Sequence, residues 1–355
     1  MPVGVEAQGN VPVYVNAAQQ SRRTQQHIDR GIEFLLSHNW PRGLANSMLN
    51  DTKKVWKSFF IVDDSGSMNA NDGTKIEITR SKGPVVVKCS RWAELVGAID
   101  FHAEFAYTSQ SPSEFRLLNA GTPIMIGEHD DGGETLQIFR GLLSGSAAGG
   151  TPLCHHIQQI AAQVQQMEGF LRQQNMHATL TIFTDGESSD GNVEQALKRL
   201  EHLPIWVTIR LCTDEPNVVN YWNAVDSHLE LSMDVLDDLF GEAEEVGEHN
   251  NWLVYGEPLH RFREFGSHRK ELDMLDEMSL STEHLRLTLA TLFGGKGADF
   301  PHPEAEFEEF AKYLEKDVLK GQQLVFNPQT RKMTQWIDMK NLARKYGKGG
   351  SCVVM

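Results

Sequence analysis

Short apolar runs alternate with segments of helical apolar spacing from Phe59 to about Gly247. Two of the runs, WKSFFIVD and HATLTIFTDG, predict buried strands that reach acids at their ends, Asp63 and Asp185. Strands that alternate with helices are typical of a mainly parallel sheet that is covered on both faces. The pattern therefore predicts an α/β fold.

Several further elements follow from the same periodicities. Helical spacing predicts helices over 91–105, 133–143, 152–174 and 191–203. Two β-prone pieces around residues 81–84 predict a hairpin inside the segment 69–90. The last predicted pair is a strand over 228–234, HLELSMD, and a helix over 235–247, VLDDLFGEAEEVG.

The alternation of strands and helices stops on either side of this region. The chain therefore divides into four predicted parts. They are an N-terminal extension (1–54), the α/β domain (55–248), a C-terminal helical extension with a hairpin (249–347) and a flexible tail (348–355). The aromatic-rich segment WLVYGEPLHRFREFG of the extension is open to two interpretations. We favour a strap that packs its aromatics onto the α/β domain over a binding surface.

Composition narrows the classes of function. The chain of 355 residues has 48 acidic and 33 basic side chains and a net charge of −15, which disfavours nucleic acid as a partner. Its 4 cysteines form no CxxC pair, so we expect a reducing compartment and no zinc finger. The first residues lack a basic region followed by an apolar one, and we expect no signal peptide or membrane span.

Short oxygen-bearing side chains gather where three predicted loops meet one sheet edge. DDSGS supplies Asp63, Ser65 and Ser67, AGGTPL supplies Thr151, and FTDGE supplies Asp185. Carboxylate and hydroxyl oxygens are ligands for hard cations, and Mg²⁺ takes six of them while it keeps several waters. The sequence therefore predicts a magnesium site, with Mn²⁺ or Ca²⁺ as alternative ions.

These five positions, in this order, resemble the von Willebrand factor A (VWA) domain. Its signature is DxSxS, a distant Thr and a distant Asp, which form a metal-ion-dependent adhesion site. The resemblance covers about residues 55–248 and implies a doubly wound, Rossmann-like sheet of six strands with one antiparallel edge strand. It also implies that an Asp or Glu of a partner protein completes the metal. The segment after Asn250 resembles extensions of stand-alone intracellular members from fungi and other microbial eukaryotes.

Other interpretations of the same residues stay open. Ser, Thr and Asp also cap helices and turns. Asp72 is either an accessory ligand or, as we favour, a turn residue, and we expect Asp64 to be exposed or outside the metal's ligand set. A metal-dependent hydrolase is the enzymatic alternative, with His129 and Glu187 as the nearest acid–base candidates, and a scaffold without metal is the third. We expect a binding module and no enzyme.

The end of the chain carries a second motif. CVVM matches the C-a-a-X box for prenylation of Cys352, and its terminal Met favours a farnesyl group. The alternative is that the last residues pack as a strand. One prenyl chain anchors weakly, and the nearby basic residues Arg344, Lys345 and Lys348 are few. We expect a cytoplasmic protein that is peripheral on the cytosolic face of a membrane.

Overall fold

The fold is built on one central sheet. In a computed structural model, residues 24–79, 83–267, 269–295 and 297–347 are described. The strands of these ranges, in chain order, are β1 (Val55–Val62), β2 (Gly73–Thr79), β3 (Gly83–Cys89), β4 (Ser113–Leu117), β5 (Ile124–Ile126), β6 (His177–Thr184), β7 (Ile205–Leu211), β8 (Met233–Leu236), β9 (Val325–Asn327) and β10 (Lys332–Thr334).

Six of these strands form the central sheet, in the order β5-β4-β1-β6-β7-β8. All neighbours pair in parallel except β4 and β5, which are antiparallel. This confirms the predicted α/β class with one antiparallel edge strand. The strand pairs β2–β3 and β9–β10 are separate antiparallel hairpins, and both were predicted.

Helices cover both faces of this sheet. In chain order they are α1 (Gln25–Ser37), α2 (Arg42–Asp51), α3 (Arg91–Ser109), α4 (Glu134–Leu143), α5 (Leu153–Gln174), α6 (Val193–Leu197), α7 (Pro216–Ser227), α8 (Leu239–Asn250), α9 (Glu257–Glu264), α10 (Lys270–Glu277), α11 (Thr282–Phe293), α12 (Phe307–Tyr313) and α13 (Met339–Tyr346). Among the described residues, no helix has both the length and the apolar character that crossing a membrane requires.

Alternating residues of the strands build two separate cores. On β1, Phe60 and Val62 join a cluster that includes α1 to α4 and the C-terminal helices, whereas Phe59 and Ile61 join a cluster with α5, α6 and α7. This alternation is the period of two that a strand imposes on its side chains. The N-terminal and C-terminal extensions therefore both pack into the first of these two cores, the one that contains Phe60 and Val62.

The aromatic-rich segment of the C-terminal extension is a packed strap. Trp252, Tyr255, Phe262 and Phe265 are all buried, and Phe265 packs edge-on against Phe60 of the sheet. The interpretation as a strap is confirmed. Helix α9 lies within it and presents both its apolar and its charged residues to the protein interior.

A buried ion-pair network joins this strap to the sheet. Glu264, which is fully buried, accepts two hydrogen bonds from Arg261 (2.8 and 2.7 Å) and one from His102 of α3 (3.0 Å). Arg210 of β7 lies 3.3 Å from the same carboxylate. Burial alone would raise the pKa of Glu264, but the charge of Arg261 and the hydrogen bond from His102 help to hold it well below its ordinary value.

Element boundaries differ from the sequence prediction in a few places. Strand β8 begins at Met233 instead of His228, and it includes Val235 and Leu236, which the sequence pattern places in the next helix. Asp238 explains this boundary, because its carboxylate caps α8 by accepting from the backbone of Phe240 and Gly241 (2.8 Å each). Helices α2, α9 and α13 were not predicted.

Helix α2 packs so closely on α11 that one position tolerates only glycine. An added Cβ at Gly43 would lie 2.0 Å from the backbone nitrogen of Gly294. We expect Gly43→Ala to lower the free energy of unfolding by about 1–3 kcal/mol, the usual cost of overpacking. Urea denaturation of the purified protein measures it.

Gly97 of α3 is the matched control, because an added Cβ there meets no atom within 4 Å. Gly97→Ala should raise the free energy of unfolding by about 0.5–1 kcal/mol through helix propensity. Equal stability of the two variants would contradict the close packing of α2 on α11.

Candidate metal centre

The candidate site lies at the carboxyl ends of β1 and β6, the two central strands. From β1 the chain continues to β4 and β5 on one side, while β6, β7 and β8 lie on the other. This reversal of strand order creates the crevice in which α/β sheets hold ligands. Asp63 and Asp185 each directly follow their strand, and the backbone of Asp63 is tied to Phe183 (2.9 Å).

Asp63 is a buried carboxylate that lacks a cationic partner within the described ranges. Its Oδ1 accepts from the backbone nitrogen of Ser65 (2.9 Å) and its Oδ2 from the hydroxyl of Thr184 (2.8 Å). Burial and, to a smaller extent, the charge of Asp185 raise its pKa, although these hydrogen bonds oppose the shift. A buried acid of this kind is stabilised by a cation.

The two serines link Asp63 to Asp185. The hydroxyl oxygens of Ser65 and Ser67 lie 2.9 Å apart, and Ser67 donates to Asp185 Oδ1 over 2.8 Å. Neighbouring ligands of an octahedral Mg²⁺ with bonds of roughly 2.0–2.1 Å are separated by about 2.9 Å. The spacing of these oxygens and the chemistry of the donor set therefore fit a small hard cation.

Thr151 lies on the loop beside this chain of hydrogen bonds. The loop contacts the first one through Gly66, whose backbone nitrogen donates to Gly149 O (3.1 Å). The backbone of Thr151 is held by Ser189, which accepts its N–H (3.0 Å) and donates to its carbonyl (2.8 Å). Among the described residues, the Thr151 hydroxyl forms no hydrogen bond with the other four predicted ligands.

Asn119, which the sequence analysis missed, joins these two loops. Its side-chain amide donates to Asp64 Oδ1 (2.8 Å) and to Gly150 O (3.0 Å). The contact requires glycine at position 149, which has φ +102° and where a Cβ would lie 2.3 Å from Asn119 Oδ1. Asp64 is accordingly a loop-positioning residue. The sequence feature that could have indicated this role is the position of Asn119 just after β4, at the same sheet edge.

Arg91 is the second residue that the sequence analysis missed. It is the first residue of α3, and its Nη1 donates to Asp185 Oδ2 over 2.9 Å. Its Nε and Nη2 bind both carboxylate oxygens of Asp72 (2.8 and 2.5 Å). These hydrogen bonds lower the pKa of Asp72, whose carboxylate thus binds an arginine.

The acid–base candidates of the enzymatic alternative are surface residues. His129 and Glu187 are both exposed, and in the part of the chain that the structure describes neither forms a hydrogen bond with the five predicted ligands. Cys352 and the rest of the tail lie outside the described residues.

A second acidic group lies beside β8, between α8 and α10. Single carboxylate oxygens of Glu242, Glu245 and Asp276 lie within 4.8 Å of one another, next to a cavity of about 530 Å³. Arg263 is fully buried there and donates to Glu242 (2.7 Å) and Asp276 (3.0 Å). An arginine of the protein itself therefore supplies the positive charge that this group requires.

Comparisons with known proteins give limited information. No family model and no curated protein matches the sequence. A similar solved structure is an aerotolerance-related membrane protein from Bacteroides fragilis NCTC 9343 with multiple mutations to serines, at 14% identity over 44% of this chain and 66% of that one, with a TM-score of 0.27. Another is the conserved hypothetical protein BatB from Bacteroides thetaiotaomicron, at 17% identity over 44% of this chain and 65% of that one, with a TM-score of 0.27.

The chain thus covers just under two thirds of each of these two solved chains. A similarity at this level carries no conclusion about function.

Asp273, which lines the same cavity as the second acidic group, predicts a pH dependence of stability. Burial, and then the charge of Asp234, raises the pKa of Asp273 on α10 from 3.8 to about 7. The stabilising contribution of the protonated acid is therefore complete below about pH 4 and is lost as the pH rises through about 7. We expect Asp273→Asn to remove that loss and to raise the free energy of unfolding at pH 8 by on the order of 1 kcal/mol.

Denaturation with urea at pH 5 and pH 8 measures this difference. Glu244→Gln, at an exposed position of the adjacent helix α8, is the control and should leave the pH dependence unchanged. A decline between pH 5 and pH 8 of equal size in wild type and Asp273→Asn would show that Asp273 does not cause it.

Proposed function

We propose that the protein is a non-enzymatic, metal-dependent protein-binding module of the VWA type. The observation that carries the proposal is the continuous hydrogen-bonded chain from Ser65 through Ser67 to Asp185, with Asp63 buried beside it. Oxygen side chains from separate loops converge at the sheet edge where α/β folds bind ligands. The absence of a cationic partner for Asp63, among the described residues, supports a bound cation over a purely structural role.

The residues of the site would divide into three roles toward Mg²⁺. Ser65 and Ser67 would bind it directly, and Asp63 and Asp185 would hold it largely through water. The Thr151 hydroxyl, which has no hydrogen bond to the other ligands among the described residues, would bind only when a partner is present. Bound Mg²⁺ would offer an open position to an oxygen ligand.

The partner in this proposal is a protein that presents an Asp or Glu side chain. Neutral hydroxyls are weak ligands, so an anionic oxygen from outside would complete the site favourably. A partner acid would otherwise be repelled by a protein with a net charge of −15. Binding would therefore depend strongly on the metal.

We also propose that Cys352 is farnesylated and that the lipid brings the module to the cytosolic face of a membrane. The basic residues nearby offer little help to the lipid. Lys345 is half-buried, its ammonium bonds the carbonyl of His249, and burial lowers its pKa to about 8. A lipid with so few basic neighbours supports transient or partner-assisted membrane binding.

The metal site is tested by calorimetric titration of the chelator-stripped full chain with MgCl₂. We expect Asp63→Ala to abolish Mg²⁺ binding, because it removes the buried carboxylate, while circular dichroism shows an intact fold. The control is Asp214→Ala, which removes an exposed acid that follows β7 at the same sheet edge.

Equal Mg²⁺ affinity in wild type and Asp63→Ala would overturn the assignment of the site. Capture of partner proteins should follow the same pattern: partners bound by wild type in Mg²⁺ should be lost in EDTA and in Asp63→Ala.

The lipid is tested by intact-mass spectrometry of the full chain from eukaryotic cells. Wild type should carry a prenyl group and distribute to the membrane fraction, because each buried methylene contributes about 0.8 kcal/mol to membrane binding. Cys352→Ser should be unmodified and soluble, and should bind Mg²⁺ as wild type does. Cys89→Ser, which alters a free cysteine of β3, is the control and should stay modified. An unmodified wild-type mass would remove the lipid from the proposal.

A further inference from the structure

The candidate site contains a positive charge of its own. The side chain of Arg91 is only 6% exposed, and its Nη1 donates to Asp185 Oδ2, a carboxylate that is 1% exposed. The other oxygen of Asp185 accepts from Ser67 (2.8 Å). Both oxygens of Asp185 are thus engaged by the protein, one of them by a full positive charge.

The two acids of the site therefore differ in their electrostatic environment. Asp63 is buried with neutral hydrogen-bond donors only, from Ser65 and Thr184. Asp185 is buried against a guanidinium that stays charged at all relevant pH values. A divalent cation at this site would meet one uncompensated carboxylate and one that a protein cation already neutralises.

The Arg91 guanidinium also has partners outside the site. Asp72 holds it bidentately, and Glu215 accepts from its Nη2 over 2.8 Å. Both carboxylates lie near the surface, with side chains 46% and 59% exposed. These hydrogen bonds give the guanidinium favourable contacts that do not involve Asp185.

The hairpin β2–β3 determines where Arg91 lies. The backbone of Arg91 donates to Ala70 O (3.0 Å), which closes the hairpin at its base. Gly73 makes this closure possible, because a Cβ there would lie 2.9 Å from the carbonyl carbon of Ser90. Glu94, one turn further along α3, accepts from the backbone nitrogen of Thr74 on β2 (2.8 Å). The hairpin and the start of α3 therefore hold the guanidinium at Asp185.

We propose that Arg91 is a built-in competitor of the divalent metal: it occupies Asp185 and lowers the affinity of the site for Mg²⁺. This inference rests on the proposed metal site and adds the residue that tunes it. With Arg91 in place, Asp185 contributes little net attraction to a cation. A like charge beside the site also repels the metal directly.

Calorimetric titration with MgCl₂ tests the competition in the full chain. Arg91→Gln should bind Mg²⁺ roughly tenfold more tightly than wild type, since it removes a positive charge from a poorly solvated site. Arg91→Lys keeps a positive charge but cannot reproduce the forked contacts with Asp72 and Asp185, so its affinity should lie between those of wild type and Arg91→Gln. Lys88→Gln removes an exposed charge from the neighbouring strand β3 and should also stay within about twofold, because water and salt screen exposed charges.

A double variant separates direct competition from a general change of charge. Arg91, Asp72, Asp185 and Glu215 together carry a net charge of −2, and Arg91→Ala combined with Asp72→Ala keeps that value while it frees Asp185. It should gain Mg²⁺ affinity as Arg91→Gln does. The double variant also keeps the test valid if Arg91→Gln fails to fold, because it removes Asp72, a surface acid that loses its partner in the single variant.

The outcomes separate this inference from the proposed function. If wild type binds Mg²⁺, Asp63→Ala does not, and the arginine variants bind only as tightly as wild type, then Arg91 is a structural clamp and the competition is refuted. A gain in Arg91→Gln without a gain in the double variant would also refute it, in favour of a general field effect. No Mg²⁺ binding by any variant would refute the metal site and this inference together.

Discussion

The structure depends on one buried negative charge, that of Glu264. A carboxylate that is removed from water is strongly destabilising unless cations and hydrogen bonds surround it. Here the strap contributes Arg261, helix α3 contributes His102, and strand β7 of the central sheet contributes Arg210. Three elements that are distant in the sequence must therefore be in place together before Glu264 can be buried. The C-terminal extension is joined to the sheet by this requirement as well as by apolar contacts.

A series of ion pairs and hydrogen bonds connects Glu264 to the candidate site. Arg210, which pairs with Glu264, also donates to Glu94 on the first turn of α3 (2.6 Å). Glu94 in turn holds the hairpin through the backbone of Thr74, and Arg91 lies one turn earlier on the same helix. Buried polar groups connected in this way polarise one another and resist independent movement. The position of the guanidinium at Asp185 is thus supported by contacts that begin in the C-terminal extension.

The sequence predicted most of the sheet, because apolar runs of strand length alternate with helical spacing and end on acids such as Asp63 and Asp185. The same reasoning placed five candidate oxygen ligands at one edge, and the structure links four of them by hydrogen bonds. The roles of Arg91 and Asn119 were not predicted, because they depend on which loops the fold brings together. An arginine at a helix start and an asparagine after a strand are common in other settings. Helix α2 was not predicted for a related reason: the element on which it packs, α11, lies far along the chain.

The pairing of α2 with α11 has a consequence for the order in which the molecule is made. Ser47 donates to the carbonyl of Thr291, and Asp51 pairs with Arg269, so these contacts close loops of more than two hundred residues. During synthesis from the N-terminus, α2 is made before α11, so the surface on which α2 packs does not yet exist when α2 forms. Until α11 follows, the apolar face of α2 that packs on it is open to chaperones. The contact between α2 and α11 can therefore form only after most of the central sheet has been synthesised.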